Sequence, residues 1–106
     1  MIPKPLRSFV YGLRSATDNG VLKWKEGAPE SFFCNHKNHT LHISPHFNED
    51  SSEASYLFRL VTDGKVTAFS VNHYEEDYND MRDLYSSVMA NANDVESDLK
   101  DFFDPE

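Results

Sequence analysis

The chain has a single cysteine, Cys34, so no internal disulfide can form, which fits a reducing compartment. Its four glycines are scattered. No Gly-x-Gly-x-x-Gly, Walker loop or Gly-x-Ser-x-Gly elbow occurs, and the nucleotide and hydrolase fingerprints go with them. No apolar run approaches the ~20 residues of a membrane span. The opening Met1-Ile2-Pro3-Lys4-Pro5 has no apolar signal-peptide core. Positive charge is scarce, with ten Lys and Arg against eighteen Asp and Glu, a formal net charge of −8. Direct nucleic-acid binding needs a basic footprint and is disfavoured. These absences lead us to expect a soluble cytoplasmic protein.

What is present fits one domain over residues 1–106. The hydrophobic share is 39%, with eight Phe, five Tyr and one Trp, enough for a modest aromatic core. Stability of roughly 5–10 kcal/mol is expected for such a chain. The charge is unevenly placed. Residues 1–74 hold eight Lys and Arg against seven Asp and Glu, and residues 75–106 hold two against eleven. The whole excess therefore sits in the last third.

Hydrophobic spacing predicts a first helix from about Pro5 to Asp18. Leu6, Phe9, Val10 and Leu13 follow the i, i+3, i+4, i+7 rule, Arg7 and Arg14 lie off that stripe, and Asn19-Gly20 stops it. Gly12 costs about 1 kcal/mol relative to Ala in a helix interior and suggests a close approach to a sheet. Trp24 is expected as a core anchor at the edge, and Glu26–Glu30 as a loop.

Two tight turns set the middle of the chain. Lys37-Asn38 joins strands Ser31–His36 and His39–Ser44, pairing His36 with His39, Cys34 with Leu41 and Phe32 with Ile43 on the core face. Pro45 ends that strand or marks an edge, and polar Asn48–Ser55 reads as a loop. Asp63-Gly64 joins Ser55–Thr62 to Lys65–His73, with Tyr56, Phe58, Leu60, Phe69 and Val71 facing the core. A helix should start at Tyr74 with the inner stripe Tyr78, Met81, Leu84, Tyr85, Val88 and Ala92. Asn93, with Glu96 at the capping-box position, then caps a last helix whose inner stripe is Val95, Leu99 and Phe102 or Phe103. The fold class expected is α+β. It has a four-stranded antiparallel sheet of two hairpins, with an N-terminal helix and one or two C-terminal helices on one face. In the runner-up arrangement the last helix is free or docked on another chain.

This layout resembles a recurrent type of small bacterial or phage-related α+β protein. The residues that carry the likeness are Leu6–Trp24, Thr40–Ser44, Asp63-Gly64, Asp77-Tyr78 through Leu84-Tyr85, and Val95 to Phe102. The resemblance implies a prokaryotic cytosolic origin and brings no established activity. It also implies a context of toxin, immunity or phage-defence genes.

Cys34, His36, His39, His42 and His46 crowd into thirteen residues. Hairpin register puts Cys34, His36 and His39 on one face, where they could contribute to a zinc site with a fourth ligand such as His73. The alternative is a hairpin tip with ordinary imidazoles and a small buried thiol. Catalysis finds no such cluster. Cys34 faces the core, and the carboxylate pairs Glu75/Glu76 and Asp80/Asp83 look solvated. The expectation is therefore a non-enzymatic interaction module of inhibitor, immunity or adaptor type. It would bind a protein with a basic surface through Glu75, Glu76, Asp77, Asp80, Asp83, Asp98, Asp101 and Phe103. Binding metal through the first hairpin is the second reading. A homo-oligomer is also open, since the basic first helix could meet an acidic tail.

Overall fold

Tight turns and helix stops set the architecture. The computed structural model describes residues 1–104, the Glu96 side chain excepted. A 3-10 turn over Lys4–Leu6 with Pro5 in its first positions leads into α1, Arg7–Asp18. Val10, Leu13 and Thr17 form its buried face, with Leu6 and Phe9 packed beside them. The stop is a Schellman motif. Gly20, at φ +76°, donates its N–H to the Thr17 carbonyl at 3.1 Å, and Val21 donates to Ala16 at 2.9 Å. Gly12 makes no close approach to the sheet. It lies on the solvent side of α1, where an added Cβ would meet nothing within 4 Å.

The sheet is an antiparallel meander in the order β1-β2-β3-β4-β5, formed by Lys25–Glu26, Phe32–His36, His39–Asn48, Glu53–Thr62 and Lys65–Asn72. Every cross-strand pair expected around the two tight turns is present, among them His36 with His39, Cys34 with Leu41 and Phe58 with Phe69. Asp63 and Gly64 have φ 51° and 80°, as a type I′ turn requires.

The sheet has five strands rather than four. The added strand, β1, is two residues long and pairs Lys25 with Phe33 and Glu26 with Phe32. It exists because Trp24, just before it, is fastened on both its backbone N–H and its indole N–H. Pro45 does not end β3, which runs on to Asn48 opposite Tyr56 to Glu53. The last β3 residue paired with β2 is Ile43, so Pro45 sits where β3 has a free edge and its missing N–H costs nothing. The polar stretch expected as a loop shrinks to a turn at residues 49–52. The Asn48 side-chain oxygen accepts the N–H groups of Asp50 and Ser51 at 3.0 and 3.4 Å and bends the chain there.

One sheet face carries Phe32, Cys34, Leu41, Ile43, Tyr56, Phe58 and Val71, all buried. Over it lies α2, Tyr78–Ala92, through Met81, Leu84 and Val88. The other face leaves Leu57 and Val66 exposed. The α2 helix starts at Tyr78 rather than Tyr74. Residues 74–77 form a turn instead, in which the Glu75 carboxylate accepts the Asn72 N–H at 3.1 Å. The last helix, α3, spans Val95–Phe103 and contacts α2 but does not pack on the sheet face. Asn93 ends α2, and the residue at the head of α3 is Asp94, in the left-handed conformation at φ 50°. The expected capping partner, the Glu96 side chain, lies outside the described residues.

Candidate functional site

Most of the acids expected to face a partner are engaged within the chain. Arg7, Tyr11 and Arg14 follow one edge of α1 at helical spacing, and Asp77, at the head of α2, continues into Asp80 and Asp83 on its facing edge. Arg7 lies 3.5 Å from Asp77, the Tyr11 hydroxyl donates to Asp80 at 3.2 Å, and Arg14 lies 3.7 Å from Asp83. Contacts climb both helices in the same direction, so α1 and α2 run parallel. Asp77 is the most enclosed, with a side chain only 6% exposed that also accepts the Ile2 N–H at 2.8 Å. It cannot reach a partner. Asp80, by its charge and its hydrogen bond, raises the Tyr11 pKa. Glu75 takes the Met1 amine, whose hydrogen bond holds its carboxyl below the ordinary value. Asp83 is shared with Arg82 at 3.7 Å.

These are mostly exposed pairs, each stabilising by about 0–1 kcal/mol. Their effect is on the surface charge, since the acidic excess on α2 is answered by α1. The partners Arg7, Tyr11 and Arg14 could have been found in the sequence. They lie off the apolar stripe at positions i, i+4 and i+7, and the three Asp residues recur every third position.

What stays open is Glu76 and α3. Asp98, Asp101 and Asp104 are exposed, and no ion pair reaches them among the described residues. The expected inner stripe of α3 is not inner. Leu99 is 56% exposed, Phe102 77% and Phe103 78%. The two Phe rings meet edge to face, with centroids 4.9 Å apart. Only Val95, at the start, is half-buried. The left-handed Asp94 turns the chain so that α3 leaves the sheet, which is the runner-up arrangement with the last helix free of it. Three large apolar side chains at i, i+3 and i+4, interleaved with acids, make an amphipathic helix whose apolar side faces water.

The Cys/His hairpin is differently arranged from a metal centre. Cys34 is 2% exposed, and burial raises its thiol pKa, so the proton stays on and the sulfur is neither nucleophile nor ready ligand. His36 and His39 face each other across the turn, and His39 Nδ1 is 2.7 Å from the Thr62 hydroxyl. His42 lies on the other face against the Phe33 ring, with its pKa lowered by burial and by Arg59. His46 is exposed, and His73 Nδ1 takes the Ala54 N–H at 3.2 Å. Among the described residues no group of three or more His, Cys, Asp or Glu could hold a metal ion together.

A cleft of about 500 Å³ lies between the C-terminal ends of α1 and α2 and includes Asp18, Lys23 and Asp94. Asn91, on its wall, points its amide inward. Its oxygen accepts the Trp24 N–H at 2.9 Å, and its nitrogen donates to the Thr17 and Leu22 carbonyls at 3.0 and 2.9 Å. Nothing in the sequence around Asn91 shows the clamp. Comparison with protein-family models, with curated proteins and with solved structures gave no match.

Proposed function

We propose that the protein is a non-enzymatic interaction module of inhibitor, immunity or adaptor type. It binds a protein partner through α3, with Leu99, Phe102 and Phe103 as apolar anchors and Asp98, Asp101 and Asp104 around them. The observation that carries this reading is the exposure of both Phe side chains on a helix that leaves the sheet uncovered by it. Aromatic anchors of this kind dominate binding energies when a partner encloses them. The acids around them call for a basic rim on that partner, which raises the association rate and makes it salt-dependent. Glu76 is exposed as well, whereas Asp77 is not, and Glu75, Asp80 and Asp83 contribute less than their number suggests because α1 and Met1 already hold them.

The test compares the wild type with two full-length variants in capture from a host lysate, Leu99→Ser/Phe103→Ser and Asp98→Lys/Asp101→Lys. One basic protein should be retained by the wild type, weakened by salt and lost with both variants. Equal retention by all three proteins defeats the reading.

A further inference from the structure

The sheet face turned away from α2 is a second uncovered surface, and register shows what it carries. Ser44, Leu57 and Ser70 form one row across β3, β4 and β5. Ser55 stands on the same face two residues before Leu57. With small serines on three sides of Leu57, which is 40% exposed, the face has a hollow of about 450 Å³ there. The next row, from β1 to β5, is Lys25, Phe33, His42, Arg59 and Ala68. Lys25 and Arg59 are exposed cations. His42, its pKa lowered by burial and by Arg59, adds no charge at neutral pH. No carboxylate occurs in these two rows, or in the row of Asn35, Thr40, Val61 and Val66 beyond them. Glu53 lines the far end of the hollow, about 20 Å from Arg59 along β4. In a chain of net charge −8 this face is locally basic.

The exposed helix α3 has the opposite character. Asp98, Asp101 and Asp104 flank Leu99, Phe102 and Phe103, with Lys100 the one cation among them. It cannot reach the basic face of its own chain. Asn93 and Asp94 alone join it to α2, which covers the other side of the sheet.

We infer that α3 of one copy docks on the outer sheet face of a second copy, with a phenylalanine ring in the hollow at Leu57 and aspartates against Arg59 and Lys25. The inference rests on the reading of α3 as a binding helix and names a second copy as its occupant. Charge complementarity selects that occupant, because the acidic helix and the basic face belong to the same chain and each is uncovered. Spacing agrees with it. Leu57 and Arg59 point the same way two residues apart, about 6.6 Å along β4. Asp98 and Phe102 are four residues apart, about 6 Å along α3. A ring seated at Leu57 therefore brings a carboxylate to the guanidinium. Two different surfaces meet in this contact, so it is head to tail and either closes into a ring or continues as a chain. Self-association covers α3, and a foreign partner has to compete for it.

Sedimentation equilibrium of the full chain tests this at about 0.15 M salt, where screening over ~8 Å weakens the repulsion between chains of net charge −8. The wild type should associate as its concentration rises toward roughly 1 mM. Arg59→Glu alone and Asp98→Lys/Asp101→Lys alone each set like charges together, and each should raise the dissociation constant about tenfold or more. Mixed in equal amounts, these two variants should associate again, since each supplies the charge that the other's altered surface needs. Ser70→Trp fills the hollow with every charge in place and should weaken association as much. A wild type monomeric to roughly 1 mM overturns the inference. So does association that the folded variants leave intact, or a mixture as monomeric as its components. Arg59→Glu keeps α3 whole. If it captures a basic protein from the lysate while the wild type stays monomeric, this inference falls and the reading of α3 stands. Self-association with no captured protein upholds the inference and removes the foreign partner.

Discussion

Replacing Asn91 with Ala should destabilise the protein more than its position near a helix end suggests. The side chain makes three hydrogen bonds, all between 2.9 and 3.0 Å, to the Thr17 carbonyl in the last turn of α1 and to the Leu22 carbonyl and Trp24 N–H on the segment joining α1 to β1. A net hydrogen bond contributes about 0.5–1.5 kcal/mol, and a buried group left without a partner costs about 1–3 kcal/mol. The Trp24 N–H belongs to a residue only 3% exposed and has no ready substitute. The Thr17 carbonyl keeps the Gly20 N–H, whereas the Leu22 carbonyl, on a residue 5% exposed, loses this donor. One orphaned N–H plus the bonds lost at two carbonyls gives a loss of about 2–4 kcal/mol, a large part of a domain's usual 5–15 kcal/mol. The melting temperature should fall by roughly 10–20 °C. Urea titration followed by the fluorescence of Trp24, the only tryptophan, reads the change at the affected site. The urea dependence should keep its slope while the midpoint moves. Asn93→Ala, at an exposed position, is the control. A loss below about 0.5 kcal/mol for Asn91→Ala would refute the account of this side chain as the clamp.

Gly12→Ala should stabilise by up to about 1 kcal/mol, because the added methyl group meets nothing and the unfolded chain loses freedom; thermal melting shows it, and a lower melting temperature counts against the exposed placement of Gly12. Phe102→Ser and Phe103→Ser should each change unfolding free energy by less than about 0.5 kcal/mol in urea, and a larger loss would mean that α3 packs on its own chain. The folded pKa of Glu75 is depressed by the Met1 amine, so its contribution to stability is present above about pH 4.5 and disappears as pH falls through the folded value. Glu75→Gln should therefore be less stable than wild type at neutral pH, with the gap closing in acid; a constant gap in urea midpoints across that range would disprove the linkage. The buried Cys34 should react slowly with a thiol reagent in the folded protein and rapidly in urea, and fast labelling of native protein would contradict its burial.

Local rules carried the hairpins. A two-residue turn dictates every pair after it, so the faces of Phe32–His36, His39–Ile43, Tyr56–Leu60 and Phe69–Val71 follow from turn chemistry alone. The α2 stripe from Tyr78 to Ala92 was equally readable, since its period of 3.6 is unbroken. Features set by distant contacts were not. The two residues of β1 have no periodicity to detect, and they are held by Trp24 and Asn91, far apart in sequence. Pro45 looked like a strand end because its own sequence does not tell where β2 stops. Composition showed where the acids are, but not that Asp77 is enclosed; the match of Arg7, Tyr11 and Arg14 to the acids along α2 lay in helical spacing rather than in composition. The apolar stripe of α3 was legible, yet periodicity says which side is apolar and not what it faces.

The parallel seating of α1 against α2 has a consequence for the order of folding. Each strand of the meander neighbours the strand made just before it, so the sheet can zip up while the chain is still growing. The first helix leaves the ribosome early but must wait for residues 77 to 91, which bind Ile2, Thr17 and Leu22, before it has a seat. Until then the apolar face of the nascent sheet is bare to the cell, a window in which a chaperone would find its hold.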